Sequence, residues 1–156
     1  MNGAVRVAGL GETDAVMAVM LAAFDSQFGE RWTLDQLRGM LIMPGILLLI
    51  HADEAGKAHG FALFSRVLDE AELLLLGVDP VNRRQGVATR LLDAGVEMLI
   101  EKGVKSLFLE VRDGNVAMNL YSTYGFNAIG RRRDYYHGGA NEKFDAITLR
   151  RELGAN

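Results

Sequence analysis

The 156-residue chain predicts a mixed α/β (α+β) fold, a mostly antiparallel central sheet of about seven strands flanked by about four helices, with helices on both faces. Three observations predict it. Short apolar or alternating runs cluster at residues 46–79 and again at 127–150. Between them lies a strongly amphipathic stretch that opens at Gly86. The composition, 49% hydrophobic and 24% charged with 2 prolines, is that of a globular chain long enough to bury one core, so residues 1–156 read as a single domain.

Residues 5–8 read as a short strand and 14–24 as a helix, because Ala15, Val16, Val19, Met20 and Ala23 recur at helical spacing. The junction Gly9-Leu10-Gly11-Glu12-Thr13-Asp14 stands where a dinucleotide fingerprint would be sought, but Asp14 replaces the third glycine. Carboxylates there repel phosphate, so the segment reads as a plain turn with Thr13 or Asp14 as N-cap. Thr33 and Gln36 have capping-box spacing and open a second helix that ends before Pro44. Strands follow at 46–52, 60–67 and 71–79 as an antiparallel meander, with a turn at 53–57. Val87, Leu91, Leu92, Val96, Leu99 and Ile100 then stripe one face of the best-patterned helix, which Lys102-Gly103 closes. Residues 106–111 form a strand, 117–124 a short helix stopped by Gly125, and 127–136 and 144–150 two closing strands.

Composition excludes several function classes. A net charge of −3 leaves no general footprint for a nucleic-acid backbone, although Arg131-Arg132-Arg133 is a local basic cluster. With 0 cysteines there is no disulfide, thiolate metal site or cysteine nucleophile. His51, His59 and His137 have no ligand-like spacing with carboxylates, so no metal site is expected. The longest apolar stretch, 40–50, is about half of the ~20 residues a membrane span requires and contains Pro44 and Gly45. Glu12 and Asp14 interrupt the region where an export signal would be apolar. A cytoplasmic location without membrane or nucleic-acid partners is the expectation, and oligomeric state is left open.

The chemistry centres on Arg83-Arg84-Gln85-Gly86-Val87-Ala88. This loop follows the strand ending at Asp79-Pro80 and opens the strongest helix, so successive backbone N–H groups face one mouth. Gly86 and Ala88 leave room for an anion to approach the main chain, the helix dipole adds attraction, and the arginines add charge. The alternative is an ordinary strand-turn-helix junction with solvated arginines.

This loop, with Leu91-Leu92 after it, resembles the cofactor loop of the GNAT superfamily of N-acetyltransferases, whose signature is Arg/Gln-x-x-Gly-x-Gly/Ala after a strand. The likeness continues through Glu70-Ala71-Glu72-Leu73-Leu74, Gly77-Val78-Asp79-Pro80, Leu109-Glu110-Val111-Arg112, Asn115, Leu120-Tyr121, Tyr124-Gly125-Phe126 and Arg131-Arg132-Arg133-Asp134-Tyr135-Tyr136. Within the superfamily the chain is similar to the bacterial ribosomal-protein-alanine N-acetyltransferases over residues 69–149, while the first 65 residues match only loosely around Trp32.

The resemblance implies an acyltransferase that uses acetyl-CoA as cosubstrate and no metal. It assigns Leu76, Gly77 and Val78 to the pantetheine arm, with the Val78 N–H polarising the thioester carbonyl, and Arg83, Arg84, Gln85, Gly86, Val87, Ala88 and Thr89 to the pyrophosphate. Glu110 matches the general base, acting directly or through a water, with Glu72 as the fallback. The alternative for Glu110 is a strand-end carboxylate paired with Arg112. Tyr121 matches the acid that protonates the departing thiolate, and Tyr124 reads as packing. Asn115 matches a CoA-contacting asparagine, or is a helix N-cap before Val116.

Two features bear on the acceptor. An α-amine with pKa ~8 loses its proton more readily than a lysine near 10.4, so a modest base suffices for an N-terminal amine. Tyr135 and Tyr136 match a tyrosine pair beside the peptide acceptor, which favours a protein N-terminus, most specifically the alanine of a ribosomal protein; the alternative is surface aromatics on an edge strand. Trp32 either walls the acceptor site or anchors the core. One departure stands out: Asn115 to Tyr121 is six positions where the family usually has seven, and Asp113-Gly114 replaces its commoner Ala-Ser. A residue lost inside a helix would swing Tyr121 by about 100°, whereas a loss in the turn 113–115 would not. The other readings are transfer to a small amine or lysine side chain, and a non-catalytic CoA-binding module.

Overall fold

A computed structural model describes residues 3–154. Seven strands form one sheet in the order β1-β2-β3-β4-β5-β7-β6. They are β1 (Ala4–Ala8), β2 (Ile46–Ala52), β3 (Ala58–Val67), β4 (Glu70–Val78), β5 (Ser106–Arg112), β6 (Asn127–His137) and β7 (Lys143–Glu152). Only β4 and β5 run parallel; every other neighbouring pair is antiparallel. The helices are α1 (Thr13–Ala23), α2 (Leu34–Leu41), α3 (Val87–Glu101) and α4 (Met118–Thr123), as the hydrophobic spacing predicts. None of the described helices is long and apolar enough to cross a membrane.

Two apolar clusters sandwich the sheet. On one face Val87, Leu91, Leu92, Val96 and Leu99 of α3 and Tyr121 of α4 pack on Phe64, Leu73, Leu107, Leu109 and Leu149. On the other, Val16, Val19 and Met20 of α1 and Leu37 of α2 pack on Leu48, Ile50, Phe61, Leu63 and Leu75. Ile100, counted in the α3 stripe from sequence, is 42% exposed; it lies beside the last core turn, outside the seam.

Local signals hold with one exception. Thr33 and Gln36 close a reciprocal capping box at 3.1 and 2.7 Å. Neither Thr13 nor Asp14 caps α1: a 3-10 turn over Leu10–Glu12 runs directly into the helix, and the N-cap position is Glu12 without a side-chain bond.

A β-bulge sets the geometry of the future site. Leu63 pairs with Leu75 and Phe64 with Leu73, so Leu74 is the extra residue of β4. Leu73 and Leu75 consequently pack into opposite clusters although they are two apart. The parallel ladder also stops there, at Leu73↔Leu109. A bulge bends its strand, and beyond it β4 continues to Val78 and β5 to Arg112 without pairing to each other.

Candidate active site

The parted ends of β4 and β5 expose main-chain groups. Asp79 N–H donates to the His59 carbonyl at 2.8 Å. Hydrogen-bonded pairs alternate along an antiparallel ladder, so Gly77 also faces β3, while the N–H groups of Leu76 and Val78 point away from it into the gap. Their side chains rest on the α3 cluster. Gly77 serves packing: a Cβ there would lie 2.8 Å from the Phe61 ring and 3.3 Å from that of Phe24.

The gap leads into the loop before α3. Arg84 and Gly86 both adopt left-handed backbone, with φ of 63° and 80°. Arg90 N–H makes the first helical bond, to the Gly86 carbonyl at 3.0 Å. The N–H groups of Val87, Ala88 and Thr89 precede it and lack intrahelical acceptors. No side chain caps this terminus, and a Cβ on Gly86 would meet nothing within 4 Å, so the mouth of the loop is open. This arrangement fits a phosphate group. Arg84, Gln85, Gly86 and Thr89 are exposed and Val87 is buried. Arg83 is used structurally: its guanidinium donates to the carbonyls of Val78 (3.3 Å) and Ala23 (2.9 Å), tying α1 to the end of β4.

Glu110 is the first residue of β5 beyond the parallel ladder. Its side chain is 14% exposed. Arg112, its suggested partner, pairs with Glu30 instead (3.2 Å), and Arg132 Nε approaches Glu110 Oε2 at 2.9 Å. That approach is out of line for a hydrogen bond, and Oε2, itself buried, has no hydrogen-bond partner among the described residues. Arg132 thus stands beside the carboxylate without making a hydrogen bond to it. Tyr136 donates its hydroxyl to the Glu110 carbonyl at 3.2 Å. Glu72 shares the sheet face, and burial, followed by the Glu110 charge, raises its carboxyl above the ordinary range against the pull of Arg132.

Tyr121 is 7% exposed and packs edge-on against Phe126 at 5.8 Å. Burial and then the Glu30 charge raise its hydroxyl pKa, which keeps the proton on the ring oxygen. Burial is also the main cause for Tyr136, followed by Glu30. Tyr124 packs against Phe126 and bonds Asp93 at 2.6 Å. Residues 112–115 form a tight turn: Asn115 N–H bonds the Arg112 carbonyl at 3.0 Å and Gly114 takes φ 88°. Asn115 does not cap α4, whose N-cap position is Ala117 without a side-chain bond; its Oδ1 accepts from Ala117 N–H (2.8 Å) in the preceding turn, and its Nδ2 donates to Glu30 (2.8 Å).

Glu30 is the residue that sequence reasoning missed. Its carboxylate joins Arg112 and Asn115, and Arg112 lies 3.7 Å over the Phe28 ring. The loop between α1 and α2 is thereby sewn over the end of β5. A charged pair, Glu30-Arg31, between the aromatics Phe28 and Trp32 was the available signal. Trp32 itself rests on the α1–α2 cluster. Tyr135 is 45% exposed and stands edge-on to Tyr136 at 5.0 Å, with Arg132 5.2 Å above its ring. Consecutive strand residues normally point to opposite faces; here the ladder is irregular between Arg132 and Tyr136, and Asp134 takes φ 52°. Asp145 holds that kink, accepting from Asp134 N–H (3.0 Å) and from Arg131 (2.6 Å), which also binds Asp113 (2.9 Å). No group of three or more His, Cys, Asp or Glu among the described residues could hold a metal ion.

The chain is 46% identical over 84 residues to the [ribosomal protein bS18]-alanine N-acetyltransferase of Haemophilus ducreyi, covering 53% of this chain and 58% of that one. It is 45% identical over 82 residues to the enzyme of the same name from Escherichia coli K12, covering 52% and 55%. The chain thus spans a little over half the length of these curated relatives. The crystal structure of the ribosomal-protein-S18-alanine N-acetyltransferase from Escherichia coli superposes with a TM-score of 0.87 at 29% identity, over 99% of this chain and 96% of that one. Residues 14–126, well over half of the sequence, match the acetyltransferase (GNAT) family, and the chain belongs to it.

Proposed function

We propose that this protein transfers the acetyl group of acetyl-CoA to an amine, and that the acceptor is the N-terminal alanine of a ribosomal protein. One observation carries the reading: β4 and β5 part at Leu73↔Leu109, turning the Leu76 and Val78 amides into a gap that opens on the loop before α3. Acetyl-CoA supplies an activated thioester and a thiolate leaving group.

In this reading the amides of Leu76 and Val78 hold the pantetheine arm, and those of Gly86, Val87, Ala88 and Thr89 hold the pyrophosphate, with Arg84 and Gln85 at the mouth. Arg83 acts by fixing the loop's entry. The Val78 N–H stabilises negative charge developing on the thioester oxygen. Glu110, whose side chain is 14% exposed and whose buried Oε2 carries no hydrogen bond among the described residues, takes the proton of the attacking amine directly or through a water. As the C–N bond forms and the C–S bond breaks, Tyr121, held protonated by burial and Glu30, returns a proton to the thiolate. Asn115 orients Glu30 and braces the turn before α4, beside the same cleft. Tyr135, Tyr136 and Glu72 line the acceptor side, and Trp32 supports the loop above it. The names of the bS18-alanine acetyltransferases support a protein N-terminus over a free small amine.

The test is intact-mass analysis after incubation with acetyl-CoA and two peptides, one with a free N-terminal alanine and one N-blocked with an internal lysine. Acetylation of the first alone is expected. Modification of the second alone would move the acceptor to a lysine side chain, and modification of neither would remove the protein-acceptor reading.

A further inference from the structure

We infer that His59 is a positioning residue for the loop that cradles the cofactor phosphates, acting through Asn82. The inference rests on the acetyl-CoA reading of that loop.

Asn82 stands immediately before Arg83 and is 7% exposed. Its Nδ2 lies 2.8 Å from His59 Nδ1, and His59 Nε2 lies 2.8 Å from Asp53 Oδ2. An amide nitrogen only donates, so Nδ1 accepts and the ring proton sits on Nε2, where it donates to the carboxylate. The chain of bonds has one direction. Asp53 is fixed in turn: its Oδ1 accepts the N–H groups of Ala55 (3.0 Å) and Lys57 (2.9 Å) in the β2–β3 turn. A rigid hairpin thus holds an imidazole, and the imidazole holds the residue that launches the loop.

His59 and its neighbour grip the loop at several points. The His59 carbonyl takes the Asp79 N–H at 2.8 Å, and its ring takes Asn82. At Gly60 a Cβ would lie 2.8 Å from Val87 Cγ1, so the first turn of α3 sits flush on β3. Between these anchors Arg84, a non-glycine residue, holds φ 63°. Such a conformation persists only when the surroundings determine it. Removing the Asn82 anchor should let residues 83–86 relax and should disperse the amides that meet the pyrophosphate.

Two variants divide the imidazole's roles. His59→Asn keeps an acceptor near the Nδ1 position for Asn82 but does not reach Asp53; His59→Gln does the reverse. Acetyl-CoA affinity by calorimetry is expected to weaken about fivefold in His59→Gln, the effect of one lost hydrogen bond, and to stay within about twofold in His59→Asn. The kcat and the KM for peptide should not change in either. Asn82→Ala tests the contact from the loop side and should weaken affinity alike, with the double variant no worse than either single one. Amide hydrogen exchange at residues 84–89 of the ligand-free protein should quicken in His59→Gln and not in His59→Asn.

Unchanged affinity and exchange in folded His59→Gln and Asn82→Ala would overturn the inference, as would equal losses in His59→Asn and His59→Gln or a fall confined to kcat. Failure of the wild type to bind acetyl-CoA would strike the functional reading instead, while the exchange comparison would still decide whether His59 orders the loop.

Discussion

Arg132 Nε stands 2.9 Å from Glu110 Oε2 but out of line for a hydrogen bond. Among the described residues Glu110 therefore has no hydrogen bond at Oε2 to give up when it accepts a proton. Glu110→Gln should therefore lower kcat about 10²-fold, the lower range for a positioned base, and leave the KM for acetyl-CoA unchanged. Steady-state kinetics with a free-alanine peptide checks both parts.

Tyr121→Phe keeps the edge-on contact with Phe126 and removes only the hydroxyl. Thermal stability should change by less than about 1 kcal/mol, while kcat falls at least about tenfold if the hydroxyl protonates the thiolate. Parallel melting and rate measurements separate the two effects.

Two glycines of the cleft should respond in opposite ways. Gly77→Ala drives a Cβ to 2.8 Å from the Phe61 ring, so overpacking should cost about 1–3 kcal/mol of stability. Gly86→Ala meets no neighbour within 4 Å and costs only the left-handed strain at φ 80°, about 1–2 kcal/mol. Its methyl stands in the phosphate mouth, so acetyl-CoA binding should drop more than stability does. Calorimetric binding beside denaturant titration distinguishes them.

His51 is fully buried, and among the described residues neither ring nitrogen has a hydrogen-bond partner. Burial, with Arg90 as the next cause, lowers its pKa below the ordinary 6.5. The folded state then binds fewer protons than the unfolded chain. This site's contribution is fully present above pH 6.5 and is lost as pH falls through the folded pKa. His51→Leu should flatten the stability profile over that interval, as measured by unfolding at a series of pH values.

Much of the fold was legible because its signals are local. The capping box at Thr33 and Gln36, the α3 stripe and the meander of β2, β3 and β4 each depend on residues near one another in sequence. The bulge at Leu74 was not legible: Ala71, Leu73, Leu74, Leu75 and Leu76 are all apolar, so no alternation records where the faces exchange. Glu30 was missed because its partners, Arg112 and Asn115, lie 82 and 85 residues away. The Glu110–Arg112 pairing failed for the related reason that spacing cannot weigh a closer, distant partner. Arg83 and Gly77, expected by resemblance to contact the cofactor, also have structural partners that no local signal records: the carbonyls of Val78 and Ala23 for Arg83, and the rings of Phe61 and Phe24 around Gly77.

The most direct test of the account is an amide chemical-shift titration of the protein with acetyl-CoA. The largest perturbations are expected on Leu76, Val78 and the amides of residues 86–89, with smaller shifts at Glu110 and Tyr121. Saturable perturbations centred elsewhere, with these amides unmoved, would contradict it.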